Sequence, residues 1–192
     1  MTTHYIDITL LPDPEFSQHH LLGALMAKLH RALVHLETSE IGVSFPRHIN
    51  KPASKRTLGD MLRLHANSAA LESLMALNWL QGIRDHTQLD EPALAPIDAP
   101  HYCVRRRQFK TSAERLRRRR MKRKGETEEQ AKTAIPNSVE QHPDLPYLQL
   151  RSSSTGQPFT LFIEHSPHPP AKPPQGGFNS YGLGGNATIP WF

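Results

Sequence analysis

The residues best suited to chemistry in this 192-residue sequence are the basic side chains of one short segment. Arg115, Arg118, Arg119 and Lys122 lie at i, i+3, i+4 and i+7, so a helix would place them on one face, with Arg123 beside them. In isolation, repulsion among these like charges disfavours the helix. Helix formation becomes favourable when a polyanion supplies the opposite charge and releases its counterions. The spacing therefore predicts a helix whose basic face binds a nucleic-acid backbone.

Positive charge is concentrated around the same helix. Twelve of the 23 Lys and Arg residues and one of the 18 Asp and Glu residues fall within 105–124, which gives this window +11 and the remainder −6. A charge run is ordinarily a solvated face or a disordered tail. Here its internal position and a capping-box pair, Thr111 with Glu114, favour an ordered helix over about 112–124 that binds nucleic acid. Because the A-form groove opens at helix ends and beside loops, a short RNA hairpin is a suitable target.

Candidate catalytic groups are less specific than the basic segment. The sequence has twelve histidines, and His30 lies at the edge of an apolar helix stripe, where histidines are commonly structural. The cluster SSSTGQ at 152–157 is typical of a polar hairpin turn, and Tyr181 and Phe159 are typical of packed aromatic side chains. On their own, these residues do not identify a catalytic group.

Metal-dependent chemistry is not indicated. The chain has one cysteine, Cys103, and lacks an HExxH motif, paired cysteines and the acidic cluster of a two-metal nuclease. The glycine-rich segment GGFNSYGLGG lacks the lysine of a phosphate-binding loop. We therefore expect no metal and no cofactor.

Hydrophobic patterning predicts the elements that must position these groups. Strand, helix, strand, strand, helix and strand follow one another, the order of ferredoxin-like and RNA-recognition α+β folds. The strands are predicted at residues 4–10, 41–45, about 60–66 and 83–89, and the helices at about 15–37 and after an N-cap at Ser68.

The proline-rich segment EPALAPIDAP at 91–100 is typical of an extended linker. We therefore predict a ferredoxin-like βαββαβ domain at 1–92, a linker at 93–104 and a smaller C-terminal domain at 105–192. That second domain would hold the basic helix and short strands at about 145–150 and 158–164. No apolar run is long enough to span a membrane and no secretory signal is evident, so we expect a soluble protein of the cytoplasm.

Several segments match one family in order along nearly the whole chain. They are HYIDITLLPDPEF, MAKLHRALV, IGVSFP, the RxQxK run at Arg106–Lys110, ERLRRR with the basic residues after it, LRSSSTGQPFTLFI, and FNSYGLGG with the final PWF. Together these segments resemble the CRISPR repeat-cleaving endoribonucleases of subtype I-F (Csy-type) systems.

The resemblance implies an activity and partners. A member of this family binds the stem-loop of a CRISPR repeat transcript and cuts once, at the 3′ base of the stem, without a metal. The upstream 2′-hydroxyl attacks the phosphate and leaves a 2′,3′-cyclic phosphate and a 5′-hydroxyl. The protein then keeps the matured guide RNA, within the multi-subunit type I-F surveillance complex.

The resemblance also implies roles for individual residues near the cut. His30 would take the proton of the 2′-hydroxyl, Ser152 would position that hydroxyl, and Tyr181 would orient His30. Ser154 and Thr155 would contact RNA beside the cleavage site.

Further residues would hold the stem. Phe159 would stack on the base pair at its foot, and Arg106 and Gln108 would read bases there. The helix face in the hairpin groove would consist of Arg118, Arg119, Lys122 and Arg123. A lysine at 122 keeps the positive charge and lacks the planar fork of an arginine.

Two other functions are compatible with the basic segment. One is a non-catalytic RNA-hairpin-binding subunit of a guide-RNA complex, and the other is a basic DNA-binding or architectural protein. The set of His30, Ser152 and Tyr181 favours the nuclease over the first, and a preference for an RNA hairpin over duplex DNA would exclude the second.

Overall fold

The computed structural model describes residues 2–51, 54–141, 143–152, 155–168 and 176–192. The elements of its first part are β1 (His4–Leu10), α1 (Gln18–Leu36), β2 (Gly42–Ser44), β3 (Met61–Ala66), α2 (Ser68–Ala76), β4 (Thr87–Leu89) and β5 (Ala93–Leu94). The later elements are β6 (His101–Arg107), α3 (Ala113–Lys124), α4 (Glu128–Ala134), β7 (Tyr147–Arg151), β8 (Pro158–Pro167) and β9 (Ile189–Pro190).

The first sheet has the strand order β2-β3-β1-β4, with antiparallel neighbours throughout, and β5 also pairs with β1. In the register of its central pair, Ile8 lies opposite Leu62 and Ile6 opposite Leu64. Since α1 connects β1 to β2 and α2 connects β3 to β4, this is the ferredoxin-like βαββαβ arrangement. The predicted fold class is confirmed.

Alternation along β1 decides which face of the first sheet is buried. Ile6, Ile8 and Leu10 are buried, and they share one hydrophobic core with the apolar stripe of α1, which includes Leu25 and Leu29. Successive residues of a strand point to opposite faces, whereas every third or fourth residue of a helix shares one face. The two periodicities therefore bring β1 and α1 together, as the sequence predicts.

The second sheet has the order β7-β8-β6-β9 and is also antiparallel. Helix α1 packs against its edge strand so closely that a Cβ on Gly23 would lie 2.8 Å from the carbonyl oxygen of Gln149. Leu148, Leu161 and Ile163 of this sheet belong to the same hydrophobic core as α1. Helix α1 is thus anchored to both sheets.

The boundaries of several elements differ from the predictions. The strand predicted at 83–89 is confined to Thr87–Leu89, because a 3-10 turn occupies Arg84–His86. Asn67, not Ser68, caps α2, since its Oδ1 accepts the N–H of Ala70 at 2.7 Å. The linker predicted over 91–100 contains the short strand β5.

The chain divides into two compact units, residues 1–107 with 145–192, and residues 108–144. The second unit contains α3, α4 and a 3-10 turn at Asn137–Val139. The domain limits predicted at residues 92 and 104 remain a prediction, which folding measurements on separate segments would test. No helix within the described ranges is long and apolar enough to cross a membrane.

Candidate active site and basic surface

The side chain of His30 on α1 meets the loop that precedes β9. Its imidazole stacks on the phenol ring of Tyr181, with ring centroids 4.0 Å apart and an interplanar angle of 2°. Both residues are half-buried, so part of each remains accessible to solvent. The structure therefore brings together two of the three residues predicted to be catalytic.

A backbone carbonyl sets the protonation pattern of His30. Nδ1 of the ring lies 2.8 Å from the carbonyl oxygen of Ser180. A carbonyl oxygen only accepts, so Nδ1 must carry the hydrogen and donate it. In the neutral imidazole, Nε2 is then the nitrogen with the lone pair, which is the form that a general base requires.

Asn179 organises the turn that carries both partners of His30. Its Oδ1 accepts the backbone N–H groups of Tyr181 at 2.8 Å and Leu183 at 3.2 Å. Gly182 has a φ of +70°, and a Cβ there would lie 2.6 Å from Cγ1 of Val43. The carbonyl of Gly182 accepts the N–H of Val43 at 2.9 Å. Only glycine fits this close approach, which fixes the turn against β2.

Arg106 places a positive charge near this stack. Its guanidinium carbon lies 5.7 Å from the centre of the Phe159 ring, within the range of a cation–π contact. Burial raises the pKa of the Tyr181 hydroxyl above its usual value, and the positive charge of Arg106 opposes that shift. The phenol of Tyr181 is therefore protonated at neutral pH, which makes it unsuited to act as a general base there.

Ser152 lies at the start of the turn between β7 and β8. Its N–H donates to the carbonyl of Gln157 at 2.9 Å, and its carbonyl accepts the N–H of Gly156 at 2.8 Å. Its Oγ accepts the N–H of Thr155 at 3.3 Å. The predicted hairpin turn is confirmed, while the roles of Ser152 and Thr155 remain predictions. Ser154 lies outside the described residues.

The basic residues of α3 fall into two groups. Arg117 and Arg120 are half-buried and paired within their own unit. Arg117 donates to the carbonyl of Ile135 at 2.8 Å and to Oδ1 of Asn137 at 2.6 Å. Arg120 forms a two-point pair with the carboxylate of Glu126. These two arginines therefore stabilise α3, and their charges are already engaged.

The other group is exposed to solvent and coincides with the predicted binding face. It consists of Arg115, Arg118, Arg119, Lys122 and Arg123, and Lys124 is also exposed at the end of the helix. Of these, Arg118 pairs with Glu114 at 3.0 Å, an exposed i,i+4 contact of little energetic weight. The helix begins at Ala113, as predicted, but its cap is Ser112, whose Oγ accepts the N–H of Arg115 at 3.2 Å. The capping box predicted at Thr111 is therefore wrong, since the N-cap lies one residue later.

The predicted site residues are thus distributed over both compact units. His30, Tyr181, Arg106 and Phe159 lie in the larger unit, whereas Gln108, which is exposed, and the basic helix face lie in the smaller one. Within the part of the chain that the structure describes, no group of three or more His, Cys, Asp or Glu residues could hold a metal ion.

The sequence analysis missed Asn179 and the carbonyl of Ser180. The side chain of an asparagine often accepts the backbone N–H of the residue two positions later, which forms an Asx turn. The segment NSYG, with Asn179 and a glycine three residues later, is therefore compatible with the observed turn. The same segment does not indicate the contact with His30, because that contact joins residues 150 positions apart.

Comparison with known proteins yields consistent matches over nearly the full length. A family model described as "CRISPR-associated protein (Cas_Csy4)" matches residues 5–192. The "CRISPR-associated endonuclease Cas6/Csy4" of Pseudomonas aeruginosa (strain UCBPP-PA14) is 47% identical over 189 residues, which is 98% of this chain and 99% of that protein. The protein of the same name from Escherichia coli (strain UTI89 / UPEC) is 42% identical over the same shares.

One solved structure is described as "An RAMP protein binding different RNA substrates". The alignment covers 86% of this chain and 87% of the chain in that structure. The identity is 10% and the TM-score 0.31.

Proposed function

This chain belongs to the Cas_Csy4 family of CRISPR-associated proteins, and from that membership we propose that it binds the stem-loop of a CRISPR repeat transcript and cuts at the 3′ base of the stem. Relatives that match it over nearly its whole length are named endonucleases, and the chain is accordingly a CRISPR-associated endonuclease. The proposal concerns the substrate, the position of the cut and the mechanism.

The observation that carries the mechanism is the fixed imidazole of His30. With Nδ1 donating to the carbonyl of Ser180 and the ring stacked on Tyr181, Nε2 has a set direction and a lone pair. Nε2 takes the proton of the 2′-hydroxyl, and the 2′-oxygen attacks the adjacent phosphorus. The bond to the 5′-oxygen breaks, which leaves a 2′,3′-cyclic phosphate and, after proton transfer, a 5′-hydroxyl. The chemistry needs a base near neutral pH and no metal.

Positioning of the nucleophile would come from the turn between β7 and β8. The Oγ of Ser152 accepts a hydrogen bond from the N–H of Thr155, which places this hydroxyl group at the start of the turn. Ser152 would hold the 2′-hydroxyl in line for attack, with Ser154 and Thr155 contacting RNA beside it. Fixing the attacking group in this way accounts for a large part of the rate in such reactions.

Binding of the stem would use the exposed face of α3 and the aromatic platform on β8. Arg115, Arg118, Arg119, Lys122 and Arg123 would contact the stem from the groove. Phe159, half-buried and beside the guanidinium of Arg106, offers a surface on which the terminal base pair could stack. Arg106 and Gln108 would read the bases there.

Retention of the product follows from the same contacts. Cleavage at the base of the stem leaves the stem-loop itself intact, so every contact of the α3 face with the stem persists after the cut. We further propose that the protein stays on the guide RNA in the cytoplasm and joins the other subunits of a type I-F surveillance complex.

The test is incubation of the purified protein, in EDTA, with a labelled repeat hairpin from its own CRISPR array. A matched hairpin carries 2′-deoxy at the nucleotide before the expected cut. We expect cleavage of the first and tight, uncleaved binding of the second. Loss of cleavage in EDTA with recovery on adding Mg²⁺ would contradict the mechanism. Binding of both hairpins without cleavage would instead identify a non-catalytic RNA-binding subunit.

A further inference from the structure

A second basic site lies on the side of α1 that faces away from His30. Lys28, Arg31 and His35 are spaced at i, i+3 and i+7, so one face of the helix presents all three. At 3.6 residues per turn, the centre of this face is about 130° around the helix axis from His30. The candidate active site therefore does not include these residues.

These side chains line a cleft between α1 and the chain that follows α2. The cleft has a volume of about 530 Å³, and Leu77 and Trp79 contribute to its wall. Lys28 is fixed there, because its ammonium group donates to the carbonyl of Gln81 at 2.5 Å. The cleft thus combines cations with an apolar wall, and one of the cations is held in place.

The charges of the cleft are not neutralised by the protein. Arg31 and His35 are exposed, and among the described residues neither forms an ion pair or a side-chain hydrogen bond. The indole N–H of Trp79, which is 8% exposed, also has no partner among the described residues. Outside residues 105–124 the chain carries a net charge of −6, so this basic cleft stands out from an acidic background.

We propose that the cleft binds single-stranded RNA, with a backbone phosphate at Lys28, Arg31 and His35 and the attached nucleoside against Leu77 and Trp79. An anion joined to a flat apolar group is the ligand that this combination fits. This proposal rests on the proposed function, because it takes the strand to be the part of the transcript that flanks the hairpin. A helix with its side chains is about 10–12 Å across, so a strand leaving the cut at His30 reaches the far side of α1 within a few nucleotides.

The test compares two uncleavable RNAs, both with 2′-deoxy at the cut. One is the bare hairpin and the other carries a single-stranded extension, in separate 5′ and 3′ versions. We expect one extension to tighten binding by the wild-type protein. Arg31→Gln should remove most of that gain and lower the salt slope for the extended RNA by about 0.7, the value for one phosphate contact on a single strand. Binding of the bare hairpin should be unchanged.

Lys51→Gln is the matched control, since it removes one exposed positive charge elsewhere in the same unit. It should leave the gain from the extension intact. The cleft assignment is overturned if neither extension tightens binding, if both variants lose the gain equally, or if Arg31→Gln weakens the bare hairpin as much as the extended RNA. Failure of the wild-type protein to bind the bare hairpin would instead overturn the proposed function, so the two failures are distinguishable.

Discussion

The imidazole of His30 lies flat on the phenol ring of Tyr181, 4.0 Å between centroids and 2° from parallel. A stack limits rotation of the imidazole about its last side-chain bond, and the hydrogen bond from Nδ1 to the carbonyl of Ser180 selects one of its two orientations. Neither contact alone determines where Nε2 points. Together they fix the direction of Nε2, as the proposed role of general base requires.

Replacing His30 by alanine should abolish cleavage and leave hairpin affinity within a few-fold. In the proposed function, the side chain of His30 supplies the base, whereas the face of α3 supplies the charge that binds RNA. Single-turnover cleavage and equilibrium binding to the 2′-deoxy hairpin measure the two effects separately. His20→Ala, an exposed histidine at the other end of the same helix, is the control and should cleave normally. A large loss of affinity in His30→Ala would show that His30 is structural.

Tyr181→Phe and Tyr181→Ala should differ, because the contact with His30 is made by the ring. Phenylalanine preserves the stacked ring, so its cleavage rate should stay within a few-fold of the wild type. Alanine lets the imidazole turn, and a small misplacement of a catalytic group costs about 10²-fold in rate. Equal, severe losses in both variants would mean that the hydroxyl, not the ring, is what cleavage needs.

Asn179 should act as a positioning residue for the same base. Asn179→Ala removes the oxygen that accepts the N–H groups of Tyr181 and Leu183, so the turn that holds the stack loses its shape. Asn179→Asp keeps that oxygen. We expect the alanine variant to cleave more slowly and to bind the hairpin normally, with the aspartate variant restoring most of the rate. A merely destabilising effect would lower the melting temperature of the alanine variant and leave its cleavage rate unchanged at low temperature.

The sequence predicts those parts of the fold in which local pattern and tertiary position agree. Alternating Ile6 and Ile8 and the apolar stripe through Leu25 and Leu29 predict β1 and α1, and the structure places both in the core. The exposed face of α3 is predicted correctly for a similar reason, because helical spacing alone separates Arg119 from Arg117. Each of these features repeats within one element, where neighbours in sequence are neighbours in space.

Other features depend on partners that are far away in sequence. Strand β6 carries Arg105–Arg107 and looks like the start of the basic segment, yet its backbone pairs with β8, and Glu164 of that strand lies 3.2 Å from Arg105. Helix α4 is only seven residues long and gives a weak periodic signal. The pairing of His30 with the turn at Asn179 spans most of the chain. Local patterns carry no information on such contacts, and the resemblance to a family identified His30 instead.

Arg119→Ala should mainly weaken hairpin binding, whereas Arg117→Ala should mainly lower stability. Arg119 is exposed on the predicted binding face, so its loss should weaken hairpin binding by about 1–3 kcal/mol and lower the salt dependence. Arg117 is tied to the carbonyl of Ile135 and to Asn137, so its loss should destabilise the smaller unit. Salt-dependent binding and hydrogen exchange of residues 113–134 measure the two effects. Unchanged affinity of Arg119→Ala at moderate salt would contradict placement of this face in the hairpin groove.

Stability should fall as the pH falls below about 6.5, because of a buried histidine. His65 is fully buried, and its Nε2 lies 2.8 Å from Oγ of Ser44. Burial, and to a smaller extent the charge of Arg63, lowers the pKa of His65 from 6.5 to about 3. Burial also lowers the pKa of His165, with the neighbouring His48 adding to the shift. The unfolded chain therefore binds more protons than the folded chain between about pH 6.5 and pH 3.

The free energy of unfolding should accordingly decrease with acidification, by about 1.4 kcal/mol per pH unit for each such histidine below pH 6.5, and should level off above pH 7. Urea unfolding at pH 7, 6 and 5 measures this slope. His65→Gln removes one titrating group, so unfolding should take up about one proton fewer. The dependence of the unfolding free energy on pH should become shallower accordingly. NMR provides a check that needs no variant, because the His65 ring signals of the folded protein should not titrate down to pH 5. Titration of His65 near pH 6 in the folded state would contradict the effect of its burial.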